Sequence, residues 1–425
     1  MNRILAIILL FIYDIFISEL FSTYQKEDSM GTFKNLDKLL DSFTQGSIPG
    51  CACVVMQNHD ILYESYSGFA DIEKGTKINE RSIFRQASTT KLFTYAIGMM
   101  LFEEGAFRFT DPIYDFLPEW QNTTKYVQLP GRAAQVVPVE HPITVKDAFT
   151  MSCGLPYCMR PLDHVTDNPT VNAMSEAVRP YCKDGKIPTL RDEVRAMGSV
   201  PIMFEPGTHW LYGLGSEIVG AIVEVITGKS VRQNMKERLI DPLGLKDTAT
   251  FLDEEMMGRL VTCYQITPDK KKEPMPRELD DIIKIGCAPE YSRANLNCSC
   301  RDFAVFMSML ANGGRYKGES LLGRKTIDLM RTNQLGPDQL RDFWHYNGVD
   351  ILGYGYGMGV RTLMDKAPGA SNGSLGAFGW SGGYGSWAEA SPEDHLSIVY
   401  MHNTQGEHNE LFHVKVRDVV YGCIE

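Results

Sequence analysis

The sequence has no basic block, no internal repeat and no low-complexity tract. Its 42 Lys and Arg are outnumbered by 53 Asp and Glu, and the net charge of −11 is spread along the chain. Nucleic acid recognition needs a concentrated positive footprint, so no nucleic acid partner is expected. Two C-x-x-C pairs or a Cys/His cluster at ligand spacing are also missing, so no metal is expected. Ten cysteines are present, and Cys51/Cys53, Cys153/Cys158 and Cys298/Cys300 lie close together. A chain of 425 residues, 44% apolar, does not need disulfides to hold a core. The cysteines are therefore read as reduced and structural.

A long uninterrupted apolar run is lacking too. Residues 4–13 form an apolar stretch behind Arg3, but Asp14 and Glu19 interrupt it short of a membrane span. Residues 1–29 have two readings. As a signal or anchor, the segment would put residues 4–22 in contact with a membrane, and the protein would be secreted or anchored. Alternatively, the codons for Lys26-Glu27-Asp28 can form a purine-rich ribosome-binding sequence, with translation starting at Met30. A cytoplasmic enzyme is slightly favoured. Residues 30–425 are read as one functional domain in either case.

Apolar periodicity predicts a helix over 33–43, with Leu36, Leu39, Leu40 and Phe43 on one face. Residues 52–57 and 61–66 flank Asn58-His59-Asp60 and predict a β-hairpin. Residues 92–104 predict a buried helix. An extended, Pro-punctuated connection is expected over 111–120, then a polar, Pro-rich stretch to 142. Helices are expected over 144–151, over 218–227 closed by Gly228, and over 301–311 closed by Asn312-Gly313-Gly314. Surface insertions are expected at 181–186 and 268–277. Strand signals return at 353–360, 386–390 and 396–402, before a last helix at 411–421. The expected class is α+β: an antiparallel sheet built from both chain ends and flanked by helices, with a mostly helical lobe at about 111–290. A cleft between the two is the natural place for a site.

The chemistry centres on Ser88-Thr89-Thr90-Lys91, which opens the apolar helix. A serine near a helix start is commonly a cap, and a lysine there can snorkel to solvent. Positions i and i+3 nevertheless share a helix face, so the amine can lie over the hydroxyl. Burial and a positive helix end both disfavour an ammonium, so a lysine in such a place is suited to act as a base.

The segment FRQASTTKLFTYAIGMMLFEEGAFRFTDPIYDFLPEW, from Phe84, resembles the nucleophile region of the serine β-lactamase-like hydrolases. These comprise the class C β-lactamases, D-amino-acid peptidases and family VIII carboxylesterases, with a β-lactamase/transpeptidase-like fold. The likeness continues in order through ITVKDAFTMSCGLP (143–156), FEPGTHWLYGLGSEIVGAIVEVITGKS (204–230), LIDPLGLKDTATF (239–251), CSCRDFAVFMSMLANGG (298–314) and FGWSGGYGSW (378–387). It spans roughly residues 35–420. The resemblance implies Ser88 as nucleophile, with Lys91 and Tyr212 sharing the proton work as a coupled pair and the Tyr212 phenol shuttling a proton to the leaving group; which of the two deprotonates Ser88 is left open. It also implies an oxyanion hole from the backbone N–H groups of Ser88 and Gly383, on an edge strand carrying Trp380-Ser381-Gly382.

Several positions depart from the lactamase pattern. Met151-Ser152-Cys153 replaces the usual His-Thr-Ser. Leu214 stands where asparagine binds a substrate amide, and an apolar side chain cannot supply that hydrogen bond. Trp380 stands where a lysine binds a substrate carboxylate, as in several family VIII esterases. Gly379-Trp380-Ser381-Gly382-Gly383 also fits the G-x-S-x-G nucleophile elbow. That reading is rejected, because the following GGYGSWAEASPEDHLSIVY predicts a hairpin and no helix.

The expected function is a carboxylesterase on small esters, working through an acyl-enzyme on Ser88 without cofactor or metal. The partner is a small ester or amide. Alternatives are a β-lactamase or D-amino-acid peptidase/amidase, and a catalytically inactive binding homologue.

Overall fold

The computed structural model describes residues 33–127, 134–157, 162, 164–185, 188–275, 295–346, 351–406 and 409–424. The expectations for residues 1–29 and for Cys158 lie outside them, as does the whole stretch 276–294.

One antiparallel sheet joins the two chain ends. Its eight strands run, from one edge, Tyr354–Tyr356, Arg361–Leu363, Phe378–Ser381, Trp387–Ser391, Leu396–Met401, Gly50–Gln57, Asp60–Asp71 and Thr76–Lys77. The seam between the ends pairs Val54 with Val399 and Cys53 with Tyr400. Along Gly50–Gln57 every side chain but the last is buried, and alternation divides them between two cores. Cys51, Cys53 and Val55 face the terminal helices Lys34–Gln45 and Asn409–Tyr421. Ala52, Val54 and Met56 face the main core.

The helix Thr90–Glu103 is apolar on almost every side and is buried all round. Phe93 stacks on Phe306 of the helix Cys300–Ala311, with ring centroids 3.9 Å apart. Fully burying a side chain of this size stabilises by about 1.5–3 kcal/mol. Truncating Phe93 to alanine would leave a cavity and cost about 3–5 kcal/mol.

Most expected elements are present, with shifted ends. The first helix is Lys34–Gln45, and the hairpin is Gly50–Gln57 with Asp60–Asp71. The helix at 144–151 is shortened to Val145–Phe149, with Thr144 and Asp147 forming a capping box. Gly215–Thr227 ends on Gly228, whose left-handed φ of 66° suits glycine.

Other expectations are corrected. The connection at 111–120 contains two 3-10 turns, Ile113–Asp115 and Pro118–Trp120, which bury Trp120. The polar stretch that follows holds a hairpin, Thr124–Val127 with Gln135–Pro138. The described part of the insertion expected at 268–277 belongs to a hairpin arm, Tyr264–Ile266 with Lys272–Pro274, which also pairs with Thr404–Gln405. The strand at 353–360 is Tyr354–Tyr356 alone.

Cys51, Cys53, Cys153, Cys298 and Cys300 are unbridged and buried, as their structural reading expects. Burial pushes the Cys51 thiol up to about 12, so it is inert.

Candidate active site

The short strand Phe84–Arg85 delivers the chain to the site. It pairs with Asn297–Cys298, and the Arg85 N–H donates to Asn403 Oδ1 at 3.0 Å. The backbone then turns through Ala87 at φ 47°. A left-handed non-glycine residue costs about 1–3 kcal/mol and is held only where surrounding contacts impose it. The 3-10 turn Ala87–Thr89 runs directly into Thr90–Glu103, and Thr89 and Thr90 both have right-handed helical angles. Ser88 and Lys91 therefore lie on one face, a turn apart. Both are partly exposed, whereas Thr89 and Thr90 between them are buried.

Lys91 projects between two phenols. Its Nζ is 5.2 Å from the ring centroid of Tyr157 and 5.3 Å from that of Tyr212, within reach of a cation–π attraction. Tyr212 precedes the helix Gly215–Thr227, which packs beside Thr90–Glu103. The Tyr212 hydroxyl accepts a hydrogen bond from Trp380 Nε1 at 3.2 Å. The two rings stack with centroids 5.3 Å apart. Trp210 and Tyr346 also flank Tyr212, so the phenol sits in an aromatic enclosure. Burial raises the Tyr157 phenol well above its ordinary range, and the Glu217 carboxylate raises it further.

The strand Phe378–Ser381 was expected at an edge but is third in the sheet, paired on both sides by Arg361–Leu363 and Trp387–Ser391, and it is clamped to the nucleophile turn. Ser386 Oγ donates to the Gln86 carbonyl at 2.9 Å, and Thr89 Oγ1 donates to the same carbonyl at 2.8 Å. Gln86, Thr89 and Ser386 are all buried. Gly382 is pressed into this junction, where a Cβ would stand 2.3 Å from the Gln86 carbonyl oxygen. Gly383, one residue on, is exposed, with nothing within 4 Å of where its Cβ would be.

Lys91, Tyr212 and Trp380 thus meet side by side at the start of the helix that follows Ser88. Gly382 packs against the nucleophile turn, and Gly383 follows Gly382 in the chain. Ser381 is turned the other way, and its Oγ donates to Glu410 Oε1 at 3.0 Å. After Ser381 the chain turns straight into the strand Trp387–Ser391, so no helix follows and the nucleophile elbow is excluded. Leu214 is buried. Among the described residues no group of three or more His, Cys, Asp or Glu could hold a metal ion, and no helix is long and apolar enough to cross a membrane.

Sequence reasoning missed Tyr157, Gln86 and Ser386. Tyr157 directly follows the Gly154-Leu155-Pro156 of a recognised segment, which was an available signal. Ser386 reaches the site only through tertiary contacts, and nothing local marks it.

Relatives share this architecture. Protein Rv1367c of Mycobacterium tuberculosis is 27% identical over 369 residues, covering 84% of this chain and 86% of that protein. Esterase EstB of Burkholderia gladioli is 25% identical over 405 residues, covering 93% and 96%. The solved structure of EstCE1, described as a hydrolase with promiscuous acyltransferase activity, superposes with a TM-score of 0.75 at 22% identity, covering 93% and 99%. Residues 32–419 match the beta-lactamase family model, and the chain belongs to that family.

Proposed function

We propose that the protein is a serine hydrolase that cleaves small carboxylic esters through an acyl-enzyme on Ser88. The observation that carries this reading is the convergence of Lys91, Tyr212 and Trp380 beside the strained turn that bears Ser88. In the proposed reaction Ser88 Oγ attacks the ester carbonyl carbon, and its proton passes to the Lys91–Tyr212 pair. Those two groups act as a coupled unit. The N–H groups of Ser88 and Gly383 hold the developing oxyanion, each contributing about 3 kcal/mol to the transition state. The tetrahedral intermediate collapses, and the leaving alkoxide takes the proton from the same pair. Water then attacks the acyl-enzyme and returns Ser88 to its starting state.

Two features favour an ester over a β-lactam. Trp380 provides no cation for a substrate carboxylate, and Leu214 provides no amide-binding group. EstB, an esterase by name, is similar across nearly the whole chain. The test compares hydrolysis of a short-chain chromogenic ester with that of a chromogenic cephalosporin. The ester should be turned over faster, and faster cephalosporin turnover would reverse the assignment.

A further inference from the structure

We infer that Asp342 is a positioning residue for Tyr212, and that it acts from a strap, the helix Pro337–Trp344, which fixes the Tyr212 segment relative to the sheet. This rests on the serine hydrolase reading above. Tyr212 belongs to no helix or strand, and the helix Gly215–Thr227 begins only three residues later. The place of its hydroxyl beside Lys91 and Trp380 therefore depends on what holds the residues just before it.

Asp342 holds those residues through one oxygen. Its Oδ2 accepts from the Trp210 backbone N–H at 3.1 Å and from His209 Nδ1 at 2.9 Å. A carboxylate only accepts, so Nδ1 carries the proton of that bond. Phe343, the next residue of the strap, meets the Trp210 ring edge-on with centroids 4.9 Å apart, and the Trp210 ring in turn stacks on Tyr212 at 6.2 Å. One turn earlier, Gln339 Nε2 donates to Ser152 Oγ at 2.9 Å. The carbonyl of the adjacent Met151 accepts from the Leu211 N–H at 2.9 Å. At its far end the strap is tied to the sheet, where Trp344 Nε1 donates to the Tyr354 carbonyl at 2.7 Å. Residues 209–211 are thus referenced to the same sheet that carries Trp380. The side chains of His209 and Asp342 are 52% and 35% exposed, and an ion pair that solvent reaches adds little to stability. Trp210 is buried, so its N–H is left without an acceptor when Asp342 is removed, and the segment must shift to find another. A shift of about 1 Å at a group that transfers a proton costs about 100-fold.

The experiment measures kcat and KM for a short-chain chromogenic ester in a double-mutant cycle between Asp342 and Tyr212. Asp342→Ala should lower kcat by about 10- to 100-fold and change KM by less than about threefold. Asp342→Asn keeps an oxygen that can accept from Trp210 and His209, and should stay within about threefold of the wild type. In a Tyr212→Phe background the positioned hydroxyl is gone, so adding Asp342→Ala should lower the residual kcat by less than about twofold. Gln339→Ala, a second handle if Asp342→Ala does not fold, cuts the tie to Ser152 and should lower kcat with the same dependence on Tyr212. An equal loss with and without the Tyr212 hydroxyl would show a merely structural role and overturn the inference. So would unchanged kcat in Asp342→Ala, a loss that falls on KM alone, or an Asp342→Asn variant as impaired as Asp342→Ala. A wild type that does not turn over the ester would instead overturn the hydrolase reading, and this inference with it.

Discussion

Gly382 and Gly383 are neighbours in one motif, yet alanine should affect them in opposite ways. At Gly382 the added methyl would stand 2.3 Å from the Gln86 carbonyl oxygen and 2.2 Å from Ser386 Oγ. The hydroxyl can rotate away, but the carbonyl is backbone, two residues before Ser88, and it already accepts bonds from Thr89 and Ser386. The strand must therefore retreat from the nucleophile turn by about 1 Å, a displacement that costs roughly 100-fold in a positioned reaction. Losing the alignment of one oxyanion donor lowers kcat by about 10²–10³. Gly382→Ala should therefore lose about 100- to 1,000-fold in kcat. The overpacked junction should also cost about 1–3 kcal/mol of stability. At Gly383 the methyl would meet nothing within 4 Å, and the backbone N–H is retained. Gly383→Ala should keep kcat within about tenfold and leave unfolding unchanged, because it removes no donor. Ester hydrolysis kinetics and thermal unfolding of both variants provide the assay. Full activity in Gly382→Ala, or an equal loss in the two variants, would refute the proposed clamp between strand and turn.

Trp380→Phe keeps the stacking on Tyr212 and deletes the 3.2 Å indole bond to its hydroxyl. Steady-state kinetics should show kcat/KM reduced by about tenfold or more, since a bond to a group that gains charge is worth about 1.5–3 kcal/mol. Lys91→Met preserves the apolar stem and removes the amine, and kcat should fall by about 10²–10⁴ with little change in melting temperature. A third expectation concerns acid stability. Burial, with a smaller contribution from His413, pushes His402 down to about 3, so it is neutral in the folded protein. The unfolded chain takes up that proton below about 6.5, so its share of stability is complete above that pH. It is lost at up to about 1.4 kcal/mol per pH unit as pH falls toward the folded value. Thermal unfolding between pH 7 and 4 should show a steeper decline for the wild type than for His402→Gln.

Local patterns carried much of the structure. Apolar runs disclosed the helix Thr90–Glu103 and the hairpin Gly50–Gln57 with Asp60–Asp71, because each buries a face that its own sequence marks. The spacing of Ser88 and Lys91 was readable for the same reason, since a helix converts three positions into one face. The pairing of Val54 with Val399 joins residues far apart in sequence; strand signals at both chain ends pointed to a shared sheet, but no local pattern marks this register. The hairpin Thr124–Val127 with Gln135–Pro138 escaped notice because its side chains are partly or fully exposed, which leaves no apolar signal.

Reaction of the intact protein with a fluorophosphonate, followed by peptide mass mapping, tests the central claim most directly. One adduct should form, on the peptide containing Ser88, and Ser88→Ala should lose both the adduct and ester turnover. Folded wild-type protein that takes no label, or a Ser88→Ala variant that still hydrolyses the ester, would contradict the account.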